Sequence, residues 1–134
     1  MEISISKENG RVPVTIMHPR GDLDSSNYMD FQAKADEMID AGAQFMLLDF
    51  SEVPYVSSAG FRSIQHIFNR LRQLHPSANL SEAEVRQGIN AGTYTSPHLK
   101  LLHLSKESLN TFKMTGFDMY LEIYNDLKEA ISSY

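Results

Sequence analysis

The sequence predicts an alternating α/β domain on a mixed sheet, in the order β-β-α-β-α-β-α-β-α. Three observations carry this. Apolar and polar residues alternate on either side of Asn9-Gly10, Phe45 to Phe50 is an almost unbroken apolar run, and Ser58 to Leu74 carries one apolar helical stripe.

The first strand pair follows from Ile3 and Ile5, the Asn9-Gly10 turn with its expected positive φ angles, and Val12, Val14 and Ile16. Pro13 cannot donate to a ladder, so it belongs at an edge or a non-bonded position. A helix is predicted over 26–40 from Tyr28, Phe31, Ala35, Met38 and Ile39, with Gly42 as its stop. The run at 45–50 suits a strand covered on both faces. The helix over 58–74 turns Phe61, Ile64, Ile67, Phe68, Leu71 and Leu74 inward and leaves Arg62, Gln65, Asn69 and Arg72 to solvent. A strand is predicted over 99–104. Ser105 then caps a short helix that ends at Gly116, a strand runs over 119–124, and Asn125 caps a final helix. Residues 76–98 are longer than such a connection needs. Within them Ser81 and Glu84 form a capping box and Gly92 a stop, so a short extra helix is expected.

The whole of 1–134 reads as one domain carrying that insertion. No apolar stretch reaches membrane-spanning length, the N-terminus lacks a signal-peptide pattern, and there is no cysteine; the cytoplasm is the expected location. Acids outnumber bases 17 to 12, giving a formal charge of −5, which argues against a nucleic-acid partner.

Two loops should meet at the C-terminal edge of the sheet, where open α/β sheets present ligands and partners. One is Gly21-Asp22-Leu23-Asp24-Ser25-Ser26; the other is Tyr55-Val56-Ser57-Ser58-Ala59-Gly60. Serine at a helix start is a favoured N-cap, worth roughly 1 kcal/mol. A phosphate there would face unpaired N–H groups and the positive helix end, within reach of Arg62 four residues on, with Asp22 and Asp24 opposing it. Tyr55 or Phe61 would supply an apolar contact beside it.

The stretch Leu47 to Arg62, including Asp49-Phe50-Ser51 and Ser57-Ser58-Ala59-Gly60, resembles the signature of the STAS domains, the anti-sigma factor antagonists. Gly21-Asp22-Leu23-Asp24 is similar to that family's G-x-L-D, and His103 to Phe117 to its strand-to-helix segment. The resemblance spans nearly the whole chain outside 76–97. It implies a STAS-like mixed sheet with helices mainly on one face. It also implies a non-catalytic antagonist in a partner-switching pathway: an anti-sigma factor serine kinase phosphorylates it, a serine phosphatase restores it, and the unphosphorylated form binds the kinase. Aligned on Gly60, the acceptor is Ser58, with Ser57, in the family's usual Asp position, as second choice. The partner-binding set is then Asp22, Asp24, Ser25, Ser57, Ser58, Gly60 and Arg62.

The alternative is a constitutive scaffold or ligand-sensing STAS module in which Ser58 only caps a helix. No cofactor is expected. His18, His66, His75, His98 and His103 lack metal-ligand spacing, and His103 is placed within a strand. A hydrolase is disfavoured because Ser58 lacks a nucleophile elbow and no His and acid stand out as triad partners. The insertion is either a tolerated excursion or a docking or dimer contact. Oligomeric state stays open, a homodimer included.

Overall fold

A computed structural model describes residues 1–76 and 80–134. Strands β1 (Glu2–Asn9) and β2 (Pro13–Arg20) pair antiparallel, in a register running from Glu2↔Arg20 to Asn9↔Pro13. The turn is therefore three residues long, and Gly10 is not among the residues with positive φ. Its lack of a side chain serves a different end. A Cβ there would lie 2.8 Å from Ile131 Cγ2, so glycine lets the C-terminal helix close over the hairpin. Pro13 takes the first position of β2, where a missing donor costs least.

The remaining strands, β3 (Met46–Asp49), β4 (Leu99–Leu102) and β5 (Glu122–Tyr124), run parallel to β2, and the sheet order is β1-β2-β3-β4-β5. Each crossover moves one strand in the same direction. Right-handed connections then put α1 (Tyr28–Asp40), α2 (Ser58–Leu74) and α4 (Lys106–Met114) on one face. There Met17, Met46, Leu48, Leu99 and Leu101 meet Phe31, Ile64, Ile67 and Phe112. The last helix, α5 (Leu127–Ser132), covers the other face, burying Ala130 with Val14, Ile16, Leu47 and Leu102. All four residues of β3 and of β4 are buried, Asp49 and Lys100 among them, because both faces of these strands are covered. Helices α1 and α2 are clamped through Asp36, which meets Arg70 at 2.9 Å and His66 at 3.0 Å. Partial burial pushes the Asp36 carboxyl up, but those hydrogen bonds outweigh it and hold it below the ordinary aspartate range.

The insertion carries α3 (Glu82–Ala91) with the expected capping box and Gly92 at φ 74°. Residues 77–79 of this connection lie outside the described residues. Several boundaries differ from expectation for local reasons. Helix α1 starts at Tyr28, because Asp24 Oδ1 accepts from both the Ser26 amide and hydroxyl and holds that residue in a turn. Strand β4 stops at Leu102, and His103, expected within it, has φ 58°. Phe117–Met119 form a 3-10 turn ahead of β5. Asp126, not Asn125, caps α5 by accepting from Glu129 N at 2.9 Å. Leu74 is 53% exposed, ending the apolar stripe of α2 early. Arg72, expected in solvent, is largely covered by its pairing with Glu82 and its place over the Phe68 ring, 5.7 Å from the centroid. Among the described residues no helix is long and apolar enough to cross a membrane.

Candidate functional site

The two loops singled out in the sequence are joined by backbone. Leu23 and Val56 form a parallel bridge: Leu23 N donates to Tyr55 O at 2.9 Å and Ser57 N to Leu23 O at 2.8 Å. Gly21 N reaches Glu52 O at 3.0 Å, and Arg20 Nε pairs with the Glu52 carboxylate at 2.7 Å. Both bridge side chains are fully buried, which flanks the bridge with Asp22 and Asp24 on one segment and Ser57-Ser58 on the other.

Helix α2 begins directly on this bridge, and Gly60 makes that possible. A Cβ at Gly60 would stand 2.7 Å from Val56 Cγ1, 2.9 Å from Leu23 Cγ and 3.0 Å from Leu23 O. Gly60 is buried, so it sets the depth at which the helix seats and presents no surface of its own.

The two serines differ in their backbone roles. Ser57 is the N-cap, in extended conformation, with its half-buried hydroxyl oxygen accepting from Gly60 N at 3.4 Å. Ser58 is the first helical residue, and it is exposed. Cap and exposed hydroxyl are thus separate residues. Ser25 and Asp22 are exposed, as is Arg62 one turn along α2. Asp24 is held more firmly. Its hydrogen bonds from the Ser26 hydroxyl and amide keep its carboxyl below the ordinary aspartate range. The Asn27 side chain accepts from Asp24 N at 2.9 Å and donates to Asp22 O at 2.7 Å, closing the turn. Of the two apolar candidates, Tyr55 is 43% exposed, whereas Phe61 lies in the core against Phe112 and Phe117.

A brace the sequence did not reveal comes from α4. Ser108, buried, accepts from Val56 N at 3.1 Å, and the Ser105 hydroxyl bonds Pro54 O at 2.8 Å and Ser108 Oγ at 2.9 Å. Sequence identified Ser105 as a cap, which it is. A cap pattern gives no sign that its partner serine supports a loop 52 residues earlier. Chemically, the edge is a stiff backbone platform carrying carboxylates, one exposed hydroxyl at a helix start and an exposed arginine.

A small α/β domain with one antiparallel edge strand, three helices on one face and this loop pair at its C-terminal edge has counterparts among known proteins. The STAS domain family model matches residues 5–76. The chain belongs to that family. It is 22% identical over 134 residues to a Bordetella bronchiseptica protein named as anti-sigma factor antagonist BtrV, covering all of this chain and 95% of that one. Among solved structures, a Thermotoga maritima protein described as an anti-sigma factor antagonist superposes with TM-score 0.71 at 18% identity, covering 96% of this chain and 91% of that one. The Bacillus cell fate determinant SpoIIAA in its phosphorylated form gives TM-score 0.62 at 16% identity, with 97% and 96% covered.

Proposed function

We propose that the chain is an anti-sigma factor antagonist-like regulator that works by binding in a partner-switching pathway. Its partner is an anti-sigma factor serine kinase, bound at the Asp22–Ser25 and Ser57–Arg62 edge. Phosphorylation of Ser58 dissolves the complex, and a serine phosphatase restores it. The observation that carries this reading is the division of labour between neighbours: Ser57 caps the helix while Ser58 stands exposed at its first position. A phosphate on Ser58 adds nearly two negative charges where the helix start tolerates them. The patch changes charge while the cap and the Leu23–Val56 bridge stay made. The relatives named as anti-sigma factor antagonists, and a structural neighbour known in a phosphorylated form, support the same reading. The regulator acts in the cytoplasm as one unit, the 76–98 insertion included.

The test is incubation with the cognate kinase and ATP, followed by peptide mass spectrometry. Modification is expected on Ser58, not Ser57. If both remain unmodified, the switch does not exist. In binding assays Ser58→Asp should weaken the kinase complex and Ser58→Ala should leave it permanently formed.

A further inference from the structure

On the face of the sheet that carries α5, three side chains from three strands line up. The Ser6 hydroxyl of β1 lies 3.1 Å from His18 Nε2 of β2, and His18 Nδ1 lies 2.9 Å from Asp49 Oδ2 at the end of β3. The other Asp49 oxygen accepts from Ser51 N at 3.0 Å, so the carboxylate is fixed in place. The side chain of Asp49 is only 11% exposed, that of His18 is 32% exposed, and Ser6 is open to solvent. In the sequence no His and acid stood out as triad partners for Ser58. The strands assemble the serine, histidine and acid elsewhere.

The polarity of this row follows from hydrogen-bond inventory. A carboxylate only accepts, so His18 carries a proton on Nδ1, and in its neutral form the ring offers a lone pair at Nε2. To a neutral ring the Ser6 hydroxyl donates its proton at that lone pair. A hydroxyl hydrogen-bonded to a base that is itself oriented by an acid is the arrangement that makes serine nucleophilic. We propose that Ser6 is an acylation site, taking an acyl group from small activated acyl donors such as aryl esters. In the step, the Ser6 Oγ–C(acyl) bond forms and the bond from acyl carbon to the leaving oxygen breaks. The Ser6 proton passes to His18 Nε2, and from there to the leaving oxygen. No oxidant or cofactor takes part. The site is separate from Ser58 and stands or falls independently of it.

Ser4 provides an internal control. It lies on the same face of the same exposed strand, two residues away, and has no hydrogen bond to the ring. The full chain is treated with p-nitrophenyl acetate and the acetylation rates of Ser4 and Ser6 are read by fragment-ion mass spectrometry. Ser6 is expected to lead by about a hundredfold, the low end of general-base assistance, and a lead below about tenfold overturns the proposal. His18→Gln and Asp49→Asn should each collapse the lead, the first by removing the base and the second by reversing its tautomer. A lead that survives both variants, with circular dichroism showing them folded, also overturns it. Should either variant fail to fold, the ratio in the parent chain still decides.

Discussion

Where the strands end, the loops after β2 and β3 are joined through main-chain hydrogen bonds, with Gly60 seating α2 against the bridge and Ser108 holding the Val56 amide. Where the strands begin, α3 leans on α2 through side chains: Val85 is buried, Glu82 meets Arg72, and just beyond the helix Tyr94 meets the Phe68 ring edge-on at 6.4 Å. Backbone hydrogen bonds constrain position whatever the neighbouring side chains are. Side-chain contacts yield to substitution one at a time. The loops that present Ser58 are thus held more firmly than α3 is on α2, and a charge added there is displayed on the surface rather than absorbed by refolding.

The largest effect should come from Gly60→Ala. Its Cβ would press against two buried side chains and the Leu23 carbonyl, and the carbonyl cannot rotate away. The expected cost is about 3 kcal/mol, the upper end for overpacking. It is read by urea denaturation, and a loss below about 1 kcal/mol would mean the bridge gives way easily. Ser108→Ala comes next. It strips the acceptor from a buried amide, and the expected loss is about 2 kcal/mol. Both variants should also weaken kinase binding, because both shift the platform.

At the opposite edge, Val85→Ala removes two buried carbon atoms and should cost about 1.5 kcal/mol. Kinase affinity measured by calorimetry should stay unchanged. If affinity falls in step with Ser108→Ala, the two edges are coupled and the contrast drawn above fails.

The element order, the apolar β3 and the full span of α2 were all legible, because local periodicity determines them. So was the capping box at Ser81 and Glu84. What escaped was decided across the chain. The sequence started the helix at Ser58 but left open whether Ser58 itself is the cap. The structure gives the cap to Ser57, held extended beside the Leu23–Val56 bridge, and leaves Ser58 as the first helical residue. The Ser108 brace and the Ser6–His18–Asp49 row each depend on strand or loop register between distant segments. Local competition explains the rest: Asp24 captured Ser26 from the helix, and the left-handed backbone at His103 ended β4 before its apolar pattern did.

The smallest stability effect is the most informative about the switch. Ser57→Ala removes a cap acceptor whose bond to Gly60 N is long at 3.4 Å, so about 1 kcal/mol or slightly less should be lost. Ser58→Ala touches an exposed hydroxyl and should change stability by no more than about 0.5 kcal/mol. Binding should follow the opposite order. Ser57→Ala should leave the kinase able to phosphorylate Ser58 and dissolve the complex, whereas Ser58→Ala should give a complex that ATP does not dissolve. Thermal melts and ATP-driven release, measured on the same two proteins, separate the roles. If Ser58→Ala is the more destabilising of the pair, Ser58 is the structural serine, and the acceptor must be sought at Ser57.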